Sequence, residues 1–377
     1  MSQPISTKVP LKVALVGLGF GAEFIPIYQA HPDAALAAIC QRDRVRLNSV
    51  GDEFGIETRY ADFEDLLVDR DIDAVHINTP IPLHAEQAIA ALEAGKHVAC
   101  TVPMATSIED CQRVVDAARA SGRTYMMMET AVYTREFLFV QQLVAAGKLG
   151  RIQFLRGAHQ QEMAGWPGYW EGLPPMHYAT HAVGPLLTLA GRLAEVVVCR
   201  GSGSIDPQLA ERYGSPFAVE TALIGIADSD VAAEVTRSLF ETAREYVESF
   251  DVYGSLGSFE WEQIAGDNPV VFQGEQAERV TVPDFAERLP EAIRSFTRHG
   301  VYDESNAHLS FIQGSGHGGS HPHLVHEFVT SAREGRPSAI DAVTSANWTS
   351  VGIAAHDSAM QGGLPVAVPR FAPVTAD

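Results

Sequence analysis

The sequence lacks an excess of basic residues and long apolar runs. It has 27 Lys and Arg residues against 47 Asp and Glu residues, a net charge of −20, whereas proteins that bind nucleic acid or membrane surfaces need a basic footprint. No apolar stretch approaches the length of a membrane span. The first residues enter a strand almost at once and contain no apolar segment before a cleavage site, so we expect no signal peptide. These absences predict a cytoplasmic protein that binds small molecules, with no nucleic-acid and no membrane partner.

Paired cysteines are missing as well. The chain has four cysteines, far apart and without metal-type spacing, at Cys40, Cys100, Cys111 and Cys199. This usage is typical of a reduced cytoplasmic protein. We also find no carboxylate pair of the kind that flanks the scissile bond in an ordinary glycosidase.

Strand-like and helical segments alternate along the first third of the chain. Strands are predicted at 12–16, 36–40, 74–77, 97–100 and 124–128, with helices at 85–95 and, capped by Ser107, up to about 121. This alternation predicts right-handed βαβ units and a parallel sheet. Further strands are predicted at 152–158, 195–200, 220–227, 232–239, 248–253 and 258–261, and helices at 135–146, 324–334 and 342–360. The fold class is therefore α/β: a doubly wound Rossmann domain over residues 1–130, then an α+β substrate domain over 131–377. The second domain has an open, mostly antiparallel sheet and C-terminal helices that pack back.

A glycine-rich loop follows the first strand and opens a helix. Gly17, Gly19 and Ala22 match G-x-G-x-x-[G/A], with Phe20 and Gly21 between them. The first glycine allows the tight turn, and the second lets the backbone approach a pyrophosphate. The third position allows close packing of helix on strand. This context predicts a bound dinucleotide, with all five residues near the cofactor.

The end of the second strand favours NAD over NADP. An acidic residue is expected there to accept hydrogen bonds from the adenosine ribose, and the segment reads Gln41-Arg42-Asp43. Asp43 lies one turn later in the chain than the expected position and can accept these hydrogen bonds. Arg42 can instead hold a 2′-phosphate or stack on adenine.

Two further segments carry a family resemblance. The sequence reads NTPIPLH over Asn78–His84 and AGKHVACTVPMATS over Ala94–Ser107. With the glycine loop and the open sheet, the chain resembles the glucose–fructose oxidoreductase/inositol dehydrogenase family over nearly its whole length. The resemblance implies NAD as cofactor and adds to its site Asn78, Thr79, Pro80, His84, Thr101, Val102 and Pro103.

Two departures from that family point to one of its branches. The family normally has E-K-P, whose lysine moves a proton, where this chain has Thr101-Val102-Pro103. It also has an aspartate four residues before a catalytic histidine, where this chain has His177 and His181. Valine carries no proton, so the acid–base chemistry must lie elsewhere.

The branch that the chain resembles is that of the NAD-dependent glycoside hydrolases of the α-N-acetylgalactosaminidase type. Glu129 and Tyr133 match its glutamate and tyrosine in M-E-T-A-V-Y, and Tyr178 and His181 match its Y-x-T-H helix start. Thr101 departs from the glutamate of that branch, which leaves the substrate open.

The resemblance implies hydrolysis through transient oxidation. NAD takes a hydride from C3 of the sugar, the ketone acidifies the C2 hydrogen, the aglycone leaves C1, water adds, and the hydride returns. We assign the proton of the oxidised hydroxyl to His181 and the C2 proton to Tyr178. Glu129, Tyr133 and His177 are assigned to substrate hydroxyls or water activation.

Two other patterns keep alternatives open. His177 and His181 share a helix face, and His317, His321, His323 and His326 cluster further on. Together these histidines could build a metal site, but no carboxylate or cysteine stands at ligand spacing. We therefore predict no metal. An aromatic segment can form a face for a sugar ring or simply pack a loop: Trp166, Tyr169 and Trp170.

The leading hypothesis is an NAD-dependent glycosidase acting on a small glycoside. The first candidate substrate is a sulfoquinovoside, whose sulfonate would need cations such as Lys148, Arg151 or Arg156, and the others are an N-acetylgalactosaminide or a glucoside. The alternatives are an NAD(P)-dependent sugar or polyol dehydrogenase using His181 and Tyr178, and a non-catalytic sugar or cofactor sensor. We expect a homo-oligomer, a dimer or tetramer, assembled through the open sheet.

Overall fold

The computed structural model describes residues 9–164, 172–242, 246–264, 266–300, 308–309 and 316–371. These residues form a parallel six-stranded sheet and a larger nine-stranded sheet. No helix in these ranges combines the length and the apolarity needed to cross a membrane.

The first sheet confirms the predicted Rossmann architecture. Its strands are β1 (Leu11–Val16), β2 (Ala34–Cys40), β3 (Arg59–Tyr60), β4 (Ala74–Ile77), β5 (His97–Cys100) and β6 (Tyr125–Met127). They pair in parallel in the order β3-β2-β1-β4-β5-β6. The helices between them are α1 (Ile25–Ala30), α2 (Arg44–Glu53), α3 (Phe63–Leu67), α4 (His84–Glu93) and α5 (Ile108–Ser121). The strand order reverses between β1 and β4, which is where doubly wound sheets bind their ligands.

Local sequence accounts for the ends of these helices. The Ser107 side chain accepts a hydrogen bond from the backbone N–H of Asp110, so the predicted cap of α5 is confirmed. Helix α2 was not predicted, because its apolar face is weak. The Asp43 side chain starts it by accepting from the N–H groups of Val45 and Arg46.

The second sheet is open and mostly antiparallel, as predicted. Its strands are β7 (Ile152–Gln161), β8 (Ala194–Ser202), β9 (Val219–Ile226), β10 (Ala232–Ser238), β11 (Tyr246–Gly254), β12 (Ser258–Glu260), β13 (Val270–Gln273), β14 (Gln276–Arg279) and β15 (Val366–Ala367). They are ordered β14-β13-β12-β11-β7-β10-β9-β8-β15, and only β7 and β10 pair in parallel. The remaining helices are α6 (Arg135–Ala145), α7 (Thr180–Ala190), α8 (Pro207–Tyr213), α9 (His321–Glu334) and α10 (Ala342–Met360).

Helices α7 and α10 connect the two sheets. Helix α10 is buried along most of its length and contacts both α5 and β8. Thr349 accepts a hydrogen bond from the N–H of Met104, and Asn347 accepts one from Ala194. Helix α7 lies against β7, where a Cβ atom on Gly157 would stand 2.6 Å from the carbonyl oxygen of Ala182. This close approach fixes the first turn of α7 over the second sheet.

Candidate active site

The glycine loop has the shape that a dinucleotide requires. Gly17 follows β1 with φ +86°, and a Cβ atom there would lie 2.5 Å from the carbonyl oxygen of Asn78. Gly19 has φ −68°, and a Cβ built on it meets no atom within 4 Å. The loop then enters a 3₁₀ helix over Phe20–Phe24, which contains Gly21 and Ala22. Open space above Gly19, at a helix start, fits a pyrophosphate.

The other predicted cofactor segments meet this loop at the carboxyl ends of β4 and β5. The two ring nitrogens of His84 each lie 2.8 Å from a backbone oxygen, one of Thr79 and one of Pro103. Thr101 donates to the carbonyl oxygen of Ile77. The segments Asn78–Pro80 and Thr101–Pro103 are therefore tied together through one buried histidine.

At the end of β2, the predicted ribose ligands have local partners. Gln41 donates its N–H to the carbonyl oxygen of Tyr60, and Arg42 is exposed. One oxygen of Asp43, Oδ1, caps α2 at 2.9 Å from the nitrogen of Val45. A contact of Asp43 or Arg42 with the adenosine moiety stays a prediction.

Three predicted catalytic residues converge in one buried cluster. Nδ1 of His181, in the first turn of α7, lies 2.5 Å from Oε1 of Glu129, which follows β6. Nε2 of the same ring lies 3.2 Å from the hydroxyl of Tyr178. The exposed fractions are 0% for Glu129, 4% for His181 and 8% for Tyr178. Glu129 thus fixes the ring through Nδ1, and Nε2 faces the hydroxyl of Tyr178.

The second sheet adds four residues that the sequence analysis missed. Oε1 of Glu248 lies 3.6 Å from Nε2 of His181 and 3.8 Å from Nε2 of His159. Tyr246 donates its hydroxyl to the same oxygen. The Arg237 guanidinium is fully buried, 5.8 Å from the centre of the Tyr178 ring.

The alternation of side chains between the two faces of a strand could have revealed Glu248 and Arg237. Glu248 is in phase with the buried Phe250 and Val252 on β11, and Arg237 is in phase with the buried Val235 on β10. Side chains two positions apart share a sheet face. A charged residue in register with the core side of a strand is rare unless it is paired.

The charges of the cluster are strongly coupled. Burial alone would lower the pKa of His181, but Glu129 and Glu248 outweigh it and raise the pKa to about 9. Burial would raise the pKa of Glu248, yet His181, His317 and the hydrogen bond from Tyr246 hold it below its ordinary value. At neutral pH the free protein therefore carries an imidazolium at His181, between the carboxyl groups of Glu129 and Glu248.

Two residues assigned to the site lie in other surroundings. The ring of His177 is 5.5 Å from that of His356, whose Nδ1 lies 3.0 Å from Glu220. The ring of Tyr133 stacks 6.5 Å from that of His323. Neither has a described contact with His181, so their direct role in the chemistry stays a prediction.

The histidine cluster is split by the fold. His317 lies beside His181, with the two ring centres 6.2 Å apart, and hydrogen-bonds to His321. His326 instead pairs with His31. Within the described ranges, no group of three or more His, Cys, Asp or Glu residues could hold a metal ion.

The cationic candidate Arg156 lies away from this cluster. Arg156 pairs with Asp251 at 2.9 Å, with its side chain 48% exposed. Asp251 is an odd number of residues from Glu248, so this pair lies on the other face of β11. The aromatic residues Trp166, Tyr169 and Trp170 fall outside the described residues.

Comparison with known proteins finds relatives that share the Rossmann domain and much of the remaining chain. Residues 11–129 match the model of an oxidoreductase family with an NAD-binding Rossmann fold. Glycosyl hydrolase family 109 protein 1 of Phocaeicola vulgatus is 24% identical, covering 96% of this chain and 84% of the relative. A glycosyl hydrolase family 109 protein of Saccharopolyspora erythraea is 25% identical over 96% of this chain and 83% of its own length.

A solved structure matches over both sheets. Levoglucosan dehydrogenase in complex with NADH and levoglucosan superposes with a TM-score of 0.75 at 22% identity, covering 96% of this chain and all of the other. The glycine loop, the order of the first sheet and the family match together show that NAD is the cofactor. Residues 11–129 are therefore similar to the NAD-binding Rossmann domain of this oxidoreductase family.

Proposed function

We propose that this chain is an NAD-dependent glycosidase that hydrolyses a small glycoside by transient oxidation at C3. The observation that carries the proposal is the buried set of Glu129, His181 and Tyr178, in which Glu129 holds Nδ1 of the imidazole and the Tyr178 hydroxyl lies beside Nε2. The family lysine is replaced by Val102, which is 6% exposed and apolar. The names of the full-length relatives from Phocaeicola and Saccharopolyspora support the same reading.

Each residue has a defined part in this reaction. Bound NAD supplies an acceptor that takes a hydride from a ring carbon and later gives it back. His181 takes the hydroxyl proton at Nε2 while Glu129 fixes the ring through Nδ1. Tyr178 removes the C2 proton once the neighbouring carbon is a ketone. The His181 ring and the Arg237 guanidinium both lie beside Tyr178.

A sugar or polyol dehydrogenase is the second candidate. It is favoured by the superposition with levoglucosan dehydrogenase across both sheets. In that reaction His181 alone would take the hydroxyl proton, Tyr178 would orient the substrate, and reduced cofactor would leave at each turnover.

The substrate class is proposed from the branch that the chain resembles. A sulfoquinovoside is the first candidate, followed by an N-acetylgalactosaminide and a glucoside. We also propose that the open face of the nine-stranded sheet joins copies of the chain into a homo-oligomer.

A panel of nitrophenyl glycosides tests the function. The panel includes the α-sulfoquinovoside, the N-acetyl-α-galactosaminide and the α-glucoside, each with and without added NAD. A glycosidase of the proposed kind releases free sugar with no net reduced cofactor, and in D₂O the sugar carries deuterium at C2. Stoichiometric reduced cofactor with an intact glycosidic bond would establish the dehydrogenase. Released sugar without C2 deuterium, from a reaction indifferent to NAD removal, would refute the mechanism.

Single substitutions divide the reaction into its steps. Tyr178→Phe should still allow one reduction of bound cofactor by the glycoside but should release no nitrophenolate, because the C2 proton stays in place. His181→Ala should lose both signals, since the hydroxyl proton has no acceptor. Absorbance of the reduced cofactor and of nitrophenolate, followed in one single-turnover experiment, measures both. Nitrophenolate release by Tyr178→Phe at the wild-type rate would remove Tyr178 from the C2 step.

A further inference from the structure

Glu248 is an ionisable group in the active site that the steps above leave without a role. Its three described contacts, with His181, His159 and the hydroxyl of Tyr246, all involve the same oxygen, Oε1. The side chain is 10% exposed. The tethered oxygen therefore fixes the carboxylate, and none of these three described contacts involves Oε2.

Glu248 and Tyr178 both lie beside the same imidazole nitrogen. Nε2 of His181 lies 3.2 Å from the Tyr178 hydroxyl and 3.6 Å from the Glu248 carboxylate. The proposed reaction moves a proton at the C3 hydroxyl, then at C2, and finally on the water that adds to C1. His181 and Tyr178 serve the first two in the roles proposed above, and Glu248 is a third proton carrier, 3.6 Å from the same imidazole nitrogen.

We propose, on the basis of the function proposed above, that Glu248 is the general base that activates water for addition to C1. Departure of the aglycone leaves a C1–C2 double bond conjugated with the C3 ketone. Glu248 takes one proton from water as the oxygen–C1 bond forms, and the double-bond electron pair moves towards the ketone. Tyr178 returns its proton to C2. The proton on Glu248 leaves to solvent, where it balances the charge of the released aglycone.

The charges around Glu248 keep it ready to act as a base. His181 and His159 face it from α7 and β7, His317 from the loop before α9, and Arg237 from β10. Tyr246, on its own strand, donates a hydrogen bond to it. His181, His317, Tyr246 and Arg237 favour the carboxylate over the acid, and they lower the pKa of Glu248 in spite of its burial.

Replacing Glu248 by glutamine tests the assignment, because nitrophenolate leaves before water adds. With the nitrophenyl glycoside that the wild type hydrolyses fastest, Glu248→Gln should release at most one nitrophenolate per active site and then stop. The cofactor should stay reduced, and steady turnover should fall by about 100-fold or more. Sodium azide, a nucleophile with no proton to lose, should restore turnover and yield a glycosyl azide that mass spectrometry identifies.

Matched variants separate this role from structural effects. Glu220→Gln removes another buried carboxylate that contacts a histidine, His356, and should keep full steady turnover. Glu248→Asp keeps the charge and should show the initial release with a slower steady phase. Steady wild-type turnover by Glu248→Gln, or loss of the initial release in both Glu248 variants, would overturn the assignment. If the wild type releases no nitrophenolate from any glycoside, the proposed function itself is wrong.

Discussion

His181 lies between the carboxyl groups of Glu129 and Glu248, and in the proposed mechanism this arrangement determines how the first chemical step responds to pH. The histidine accepts a proton only in its neutral form, and its pKa is raised to about 9. Reduction of the cofactor by substrate in a single turnover should therefore become faster as the pH rises towards 9.

Glu129→Gln should move that rise to lower pH by about 1–3 units, because an opposite charge that raises the pKa of His181 is removed. The measurement is the pH dependence of single-turnover absorbance of the reduced cofactor. Glu220→Gln serves as control and should leave the profile unchanged. A Glu129→Gln profile that coincides with the wild-type profile would mean that Glu129 does not set the protonation of His181.

A substitution at Gly19 tests cofactor binding separately from folding. Its φ of −68° suits any residue, and an added Cβ meets no protein atom within 4 Å. Gly19→Ala should keep the melting temperature of the cofactor-free protein while weakening NAD binding by about tenfold or more, equal to about 1.4 kcal/mol. Calorimetric titration with NAD and thermal melts measure the two quantities. Gly17→Ala should instead lower the melting temperature, because its φ is +86° and its Cβ would contact Asn78. Unchanged NAD affinity in Gly19→Ala would contradict the assignment of this loop.

At the scale of elements, the site depends on the contact between β7 and α7. His159 and His181 are brought together, with ring centres 5.1 Å apart, because Gly157 lets α7 approach the strand. Gly157→Ala would place a Cβ atom 2.6 Å from a backbone oxygen of α7, which can move only with the helix.

We expect Gly157→Ala to lower the free energy of unfolding by about 1–3 kcal/mol and to slow cofactor reduction by substrate. Chemical denaturation and single-turnover absorbance report the two effects. The control is Gly225→Ala on β9, whose Cβ would meet the tip of the Val196 side chain at 2.7 Å, an atom that can shift. Equal effects of the two substitutions would show that the β7–α7 contact has no special part in the site.

At the scale of the whole molecule, the nine-stranded sheet has one face against α7 and α10 and one open face. Leu223 lies on β9 with 54% of its surface exposed, between the buried Ala222 and Ile224. An exposed leucine on the open face suits the proposed assembly of copies through this sheet. Leu223→Asp should lower the molar mass measured by light scattering after gel filtration, with an unchanged circular dichroism spectrum. A wild-type monomer, or an unaltered mass in the variant, would refute the proposed interface.

Interactions between residues close together in the chain made much of the fold predictable from the sequence. The glycine loop, the Ser107 cap and the alternation of strands and helices depend on residues close together in the chain, so short windows of sequence reveal them. The same holds for the His181–Tyr178 pair, since the two residues are three positions apart at the start of α7. Helix α2 escaped prediction because its capping residue carries more information than its weak apolar face.

The composition of the active centre was decided by the tertiary structure. Glu129, Tyr178 and Glu248 reach one imidazole ring from β6, the start of α7 and β11, and strand pairing between β11 and β7 brings Glu248 beside His159. Tertiary packing also turned His177 towards His356 and separated His326 from His317. The sequence by itself determined the cofactor and the two-sheet fold, because those follow from local turns and periodicity. Strand order and helix packing decided which charged side chains share the buried site, because they set the distances between residues that are far apart in the chain.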